Sequence, residues 1–365
     1  MDLEDMMFED DIALMGDSEE LIESGIAGPS NVHWIEEDVV LEEFRTAIKK
    51  MFAAATPYDL MPRSGKVLVF ESSLQMKQAF RGLLSNDVSA ALVRDSNDLY
   101  YRSVITVTDF VECLIKCYSQ QSDVVERAAL LKSQLEDRLI SEWLLTSNKP
   151  AHVVSYAGSG NLLEAAFLCT THRIHRLPII DTHEHQLLFI MNLSRLLRYT
   201  VDNENFPDDS DFLQYTVGQL PLGVFSDVVT VHREMPVIAV LTLLITHNLS
   251  AVPVTDEHGV LRNVFSKSDV RFLAEKSRYT NLDISVEEAL LHRPLELLHT
   301  CTRESTIKSV VELLVATNVH RLYCVDNENR VEGVISVTDI FNLVLSKKAT
   351  SGSFPKRYEH LHGSV

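Results

Sequence analysis

The sequence predicts a mixed α/β (α+β) fold of four repeats that pair into two modules. Three observations predict it: a phrase that recurs, a constant step between two β-rich segments, and an amphipathic helical pattern ahead of each pair of segments. The phrase is VISVTDI, Val334 to Ile340, which nearly copies VITVTDF, Val104 to Phe110. An apolar run that stops at hydroxyls and a carboxylate marks a strand giving way to a helix. Its recurrence marks a repeat architecture.

The elements follow in order. The first β-rich segments are NDVSAALV from Asn86, RIHRLPII from Arg173, HNLSAVPV from His247 and TNVHRLYCV from Thr317. The second ones end in TVTD at Thr106, NLSR at Asn192, SKSD at Ser266 and SVTD at Ser336. Ser89 to Asp109 and His175 to Arg195 are equal steps; Ser250 to Asp269 and His320 to Asp339 are one residue shorter. The turns DSND, DTHEH, DEHG and DNENR carry the Asp, Asn and Gly that tight connections favour. Helical runs follow, in FVECLIKCY, RLLRYT, VRFLAEK and IFNLVLSKK.

One such repeat has too little surface to bury its own sheet, so repeats are expected to pair, from about Pro57 to Val201 and from about Tyr215 to Lys348. The expected division is an acidic disordered tail over 1–30, a partner-docking segment over 31–56, repeats over 57–120, 140–201, 215–280 and 290–348, and a tail over 349–365.

Charge and composition exclude several function classes. The formal charge is −19, but the first 44 residues hold 15 of the 52 acidic residues and no Lys or Arg. That leaves 37 acidic against 33 basic residues for the rest, with no basic stripe for a nucleic-acid backbone. Acidic polar sequence cannot offset its ordering entropy, hence the expected disorder of 1–30. The N-terminus is acidic where a signal peptide is basic and then apolar, and the longest apolar run, VIAVLTLLI from Val237, is about half a membrane span. Five cysteines without a CxxC pair fit a reducing compartment. A cytosolic protein, also compatible with the nucleus, is expected.

The chemistry sits at the strand ends. In TVTD, SKSD and SVTD, Thr106, Ser266 and Ser336 stand three residues before Asp109, Asp269 and Asp339. A carboxylate there can accept both hydrogens of a vicinal diol, while hydroxyls and helix N–H groups suit a phosphate. The competing reading is plain helix capping, which Ser, Thr and Asp perform at any such junction. Repetition at constant offset favours the ligand reading. A second signal is the pair His175–Arg176 and its counterpart His320–Arg321. Arg supplies a fixed fork of donors for phosphate and His a tunable one. The competing reading is a pair of surface cations.

Other candidates are weaker. His172 with His175, and His183 with His185, have metal-like spacing but no third ligand. AGSGN from Ala157 lacks the length and Lys of a phosphate loop. Cys113 and Cys117 fit the core of a helix. No catalytic constellation is visible.

These residues resemble CBS motifs, whose tandem pairs form Bateman modules. The body from Tyr58 to Ser346 resembles the gamma subunits of AMP-activated protein kinase, through KVLVFESSLQMKQAF, IHRLPIID, SAVPVTDEHG, YTNLDISV and VHRLYCVD. The resemblance implies four CBS repeats in two Bateman modules and a non-catalytic subunit that binds AMP, ADP or ATP. It also implies a catalytic alpha and a scaffolding beta kinase subunit as partners, docked through the segment before the first repeat, where Phe44 to Leu60 is helix-favouring with an exposed basic pair. It places ribose-holding aspartates at Asp109, Asp269 and Asp339, and phosphate contacts at His175, Arg176, His320 and Arg321. Thr106, Ser250, Ala251, Ser266 and Ser336 complete the implied nucleotide set. Arg195 in the second repeat agrees with a site the family leaves empty. Two departures stand out: Ser89 where the family has a phosphate-binding Arg, and Ser194 where it has a Lys. Each removes a cationic donor and implies weakened nucleotide binding, or an assembly scaffold that has lost sensing.

Overall fold

The computed structural model describes residues 39–345 except 64–66, 96–100, 121–122, 148, 150–152, 173, 185, 272–280, 292 and 294–297. The expected tails 1–30 and 349–365 lie outside the described residues, as do residues 31–38 of the docking segment and His185.

Among the described residues four three-stranded sheets repeat along the chain, each with its strands in sequence order. They are β1 Val69–Glu71, β2 Ala90–Arg94 and β3 Tyr101–Thr106; then β4 Tyr156–Ala157, β5 Leu177–Ile180 and β6 Leu187–Met191. The second half holds β7 Val231–His232, β8 Ala251–Thr255 and β9 Leu261–Ser266, then β10 Thr300–Cys301, β11 Arg321–Val325 and β12 Val331–Ser336. The first strand of each sheet pairs parallel with the second, and the second pairs antiparallel with the third. A parallel pair needs a crossover, and a helix supplies it in every repeat: α2 Met76–Ser85, α6 Leu162–Thr171, α8 Val237–Thr246 and α10 Ile307–Thr317. The sequence located two strands per repeat. The parallel strand escaped because two or three residues are too few to show a period.

The constant step has a structural cause. The hairpin register sets Ala90 opposite Thr106, Ala251 opposite Ser266 and Arg321 opposite Ser336. A register shift falls at the matching place in all four hairpins, between Val93 and Arg94, Ile179 and Ile180, Val254 and Thr255, and Cys324 and Val325. The spacing seen in the sequence is therefore a hairpin length.

Neighbouring repeats exchange their leading segments. Ile140 and Ser141 of the segment before β4 donate backbone N–H groups to Leu74 and Ser72 of the first repeat, at 2.9 and 2.8 Å. In return, Leu162 of the second repeat donates to Ala55 at 3.0 Å, and Tyr58 donates to Gly158 at 3.3 Å. The third and fourth repeats do the same, through Val217 to Ser305 at 2.9 Å, Ile307 to Tyr215 at 2.8 Å and Val286 to Met235 at 2.9 Å. Three leading segments open on a cap whose backbone N–H donates to the side chain three positions on, Thr56 to Asp59, Leu139 to Glu142 and Thr216 to Gln219, and in the fourth the Ser285 hydroxyl accepts the Glu288 N–H. The exchange hides backbone groups that one repeat alone would leave exposed.

One buried cluster joins the first repeat to the third. It includes Phe80 and Phe110, whose rings stack at 4.4 Å, with Leu114, Trp143, Val240, Leu241, Leu244 and Val270. Cys113 and Cys117 lie in this core. On the other side, α1 Val39–Ala53 turns Leu41, Phe44, Ile48, Met51 and Phe52 inward, with Phe44 4.6 Å from Phe212 and Arg45 Nε donating to the Leu343 carbonyl at 2.8 Å. The chain itself covers the apolar face of this expected docking helix. Lys50 is exposed but Lys49 is half-buried, its pKa lowered chiefly by burial, so the basic pair is less exposed than the sequence suggested. Among the described residues no helix is long and apolar enough to cross a membrane.

Candidate functional site

The S/T-x-x-D phrase folds into one device. Asp109 Oδ2 accepts the Thr106 N–H at 2.7 Å and its hydroxyl at 2.9 Å. Asp269 Oδ2 accepts the same groups of Ser266 at 2.6 and 2.9 Å, and Asp339 Oδ2 those of Ser336 at 2.8 and 2.6 Å. Thr56 and Asp59 build the identical box, at 2.7 and 3.0 Å, with no strand running into it. The box by itself is therefore a capping device. Any ligand role belongs to the second carboxylate oxygen and to what surrounds it.

Those surroundings differ. Asp109 is buried; its Oδ1 accepts the indole N–H of Trp143 at 3.1 Å, and Lys149 Nζ lies 2.7 Å from the carboxylate. Asp269 is also buried, and its Oδ1 accepts from Arg293 Nη1 at 3.3 Å. Burial pushes the Asp269 carboxyl above its ordinary range, with Arg293 opposing the shift. In the second repeat Asn192 caps the helix α7, Leu193–Asp202, by accepting the Arg195 N–H at 2.8 Å. The Arg195 guanidinium sits 5.6 Å over the Phe189 ring; its buried Nε has no acceptor. Burial, and then Arg198, depress its pKa.

The His-Arg pairs converge. Arg321 donates to the Ala251 carbonyl at 3.2 Å and closely to the Ser250 hydroxyl. Ser194 Oγ lies 2.5 Å from His320 Nδ1. Burial lowers the His320 pKa, and Arg321, Arg176 and His175 push it down further in that order. Burial likewise lowers the pKa of Arg176, and among the described residues no carboxylate pairs with it. Expected positions from the fourth, third and second repeats thus share one field of positive charge. Such a field rewards a multivalent anion.

The backbone fixes these groups beside the boxes. Val107, Lys267 and Val337 donate N–H groups to the carbonyls of Ser89, Ser250 and His320, at 3.4, 3.0 and 3.1 Å. One hydrogen bond in the same place in three repeats therefore locks the box to the residue that opens the neighbouring strand. The three boxes stand at three separate strand ends, those of β3, β9 and β12.

Sequence reasoning missed five members. Trp143, Lys149 and Arg293 come from the exchanged leading segments, where a proline follows each of the two cations. Lys267 lies inside SKSD itself, where its charge could have been noticed. Burial lowers its pKa, with Glu112 opposing and Arg321 adding. Burial raises the Glu112 pKa and Asp109 adds to the rise, against Lys149, Lys116 and Lys267.

Comparison with known proteins agrees with this architecture. Residues 217–276 and 283–346, the third and fourth repeats, match the CBS domain family. The chain is 31% identical over 324 residues to the 5'-AMP-activated protein kinase subunit gamma of Dictyostelium discoideum, covering 85% of this chain and 55% of that protein. It is 34% identical over 300 residues to the gamma-3 subunit of Bos taurus, covering 80% and 58%. With the gamma-3 subunit of Homo sapiens it shares 33% over 299 residues, covering 80% and 59%. The chain spans somewhat more than half the length of these curated relatives. Among solved structures, protein MJ1225 of Methanocaldococcus jannaschii, proposed as an archaeal homolog of g-AMPK, superposes with a TM-score of 0.61. That match covers 79% of this chain and 99% of the other at 16% identity, a likeness of fold. The fold is mixed α/β with CBS repeats.

Proposed function

We propose that this chain is a non-catalytic, adenine-nucleotide-binding regulatory subunit of a heterotrimeric AMP-activated Ser/Thr kinase, and that it senses energy charge through AMP, ADP or ATP. The observation that carries the reading is the convergence of His175–Arg176 with His320–Arg321, Ser194 and Ser250 between the aspartate boxes. In this reading the cations take the phosphates; Ser250, Ala251 and the hydroxyls of Thr106, Ser266 and Ser336 line the approach. The carboxylates of Asp109, Asp269 and Asp339 take ribose hydroxyls. Its curated relatives support the choice of ligand and of partners, a catalytic alpha and a scaffolding beta subunit. A cytoplasmic or nuclear location and the division into repeats at 57–120, 140–201, 215–280 and 290–348 belong to the same proposal.

A second reading keeps assembly and drops sensing. It is favoured by the Ser194 hydroxyl, which closes on His320 where a cation would have reached for phosphate. Calorimetric titration of the purified chain with AMP, ADP and ATP separates the two: heat and saturation support the sensor, silence with all three supports the scaffold. Turnover of ATP without a partner would overturn both. Assembly is tested by truncation. Removing residues 1–30 is expected to leave co-purification with the kinase subunits intact, and removing 1–57, which takes away α1, to weaken it. Equal recovery by both truncations would remove the docking role from this segment.

A further inference from the structure

Two of the aspartate boxes are entered by a cation from the exchanged leading segment of the next repeat. Lys149 follows the helix α5, Ile140–Thr146, and its Nζ, besides contacting Asp109, donates to the Val104 carbonyl at 2.5 Å. Arg293 follows the helix α9, Val286–Leu290. Its Nη1 donates to the Val264 carbonyl at 2.9 Å as well as to Asp269, and its Nη2 donates to Asn263 Oδ1 at 2.5 Å. Val104 and Val264 hold the same place relative to their aspartates. Two different side chains, each three residues past the end of its helix, therefore reach the same pair of acceptors. In the fourth repeat the corresponding carbonyl, that of Val334, instead accepts the backbone N–H of Val224 at 2.9 Å. Gly223 permits this approach with φ +87°; a Cβ there would stand 2.5 Å from the Val334 oxygen.

Acceptor capacity decides what these cations do. A carboxylate offers about four acceptor positions. At Asp109 the Thr106 N–H, the Thr106 hydroxyl, the Trp143 indole and the Lys149 ammonium fill them. At Asp269 the Ser266 N–H, the Ser266 hydroxyl and Arg293 fill three. A vicinal diol needs two. We propose that Lys149 and Arg293 are specificity-determining residues that occupy the first and third aspartate sites from within the chain, so that a ligand diol enters only by exchanging with them. This rests on the nucleotide reading above and adds to it an internal competitor at two sites. The burial of both carboxylates strengthens the effect, since a buried carboxylate deprived of its cation gains more from any new donor.

The test is titration of the full chain with AMP and with 2′,3′-dideoxy-AMP, which lacks the diol, in wild type, Lys149→Met, Lys149→Arg and Arg293→Met. Removing a charge-assisted hydrogen bond that the ligand must otherwise displace is expected to tighten AMP binding at the affected site about ten-fold or more, or to add one measurable AMP per chain. The gain should be larger for Arg293→Met than for Lys149→Met, because Asp269 is then left with the two positions a diol needs, whereas the Trp143 indole still holds one at Asp109 and leaves only one open. Lys149→Arg should restore the wild-type weakness, and the dideoxy ligand should gain nothing. A wild type silent to AMP whose Met variants bind it would also support the proposal. AMP binding that is unchanged or weaker in folded Met variants would overturn the internal-competitor assignment while leaving the nucleotide reading standing. Absence of AMP binding in every form would overturn both. If Lys149→Met does not fold, as judged by its melting curve, Arg293→Met carries the same comparison alone.

Discussion

The first and second repeats share a hairpin, a junction and a helix, yet their strand ends have opposite electrostatics. At the first, Asp109 is buried with its lone pairs filled by Thr106, Trp143 and Lys149. At the second, Arg195 replaces the carboxylate, Asn192 takes over the capping, and the guanidinium rests on Phe189 with its Nε unmet. Capping therefore survives the loss of Asp, because Asn192, at the place Thr106 holds in the first repeat, is itself a strong N-cap. What the exchange removes is an anionic acceptor, and with it any place for a diol. The backbone scaffold and the ligand chemistry of this repeat are separable.

The largest expected effect breaks the first repeat. Trp143→Ala removes a fully buried side chain that donates to Asp109 and supports Lys116, 4.7 Å over its ring. Chemical denaturation should show a loss of about 3–5 kcal/mol. A loss under about 1 kcal/mol would mean that the Trp143 site collapses onto the cavity and that the first box is not held by this residue.

The next prediction sharpens the comparison at the fourth repeat. Asp339→Asn keeps the cap on Ser336 and discards the anionic acceptor, so stability should fall by well under ~1 kcal/mol. Nucleotide affinity should fall about ten- to a hundred-fold in the calorimeter. Unchanged affinity at an unchanged melting temperature would reduce the SVTD phrase to capping alone.

A smaller effect concerns the cations between the repeats. The folded His320 pKa lies below its ordinary 6.5, from burial first and then Arg321, Arg176 and His175. The unfolded chain therefore takes the proton first as pH falls through 6.5, so this residue's contribution is complete above that value and is lost on acidification below it. A bound phosphate reverses the preference by favouring the imidazolium. Nucleotide binding just below pH 6.5 should accordingly take up a fraction of a proton, measured as a dependence of binding heat on buffer ionisation enthalpy. His320→Gln should abolish it; persistence of the uptake in that variant would assign it elsewhere.

The smallest effect is the control at the second repeat. Arg195→Ala should leave nucleotide affinity unchanged, because this strand end offers no acceptor for a ribose. A loss of several-fold would place the guanidinium among the ligand contacts and erase the contrast between the two repeats.

The sequence by itself determined the repeat count, the hairpin pairs, the S/T-x-x-D boxes and the His-Arg dipeptides, because each is local. Its periodicity is set by strand pleat and helix turn, and its fixed step by hairpin register. The short strands β1, β4, β7 and β10 were illegible, since two or three residues carry no period and form only once a crossover helix lays them beside a longer strand. The exchange of leading segments was equally hidden, because a backbone N–H does not announce which carbonyl it will find. The partners of Asp109 and Asp269 were decided by that exchange. Lys149 is 40 positions from its aspartate and Arg293 is 24 from its own; each stands three residues past a helix and before a proline, a pattern that does not say which carboxylate the cation will meet. The aspartates were readable because capping is a contact at short range along the chain. What surrounds them was not, because the charge and burial that tune a carboxylate arrive from repeats brought together only in three dimensions.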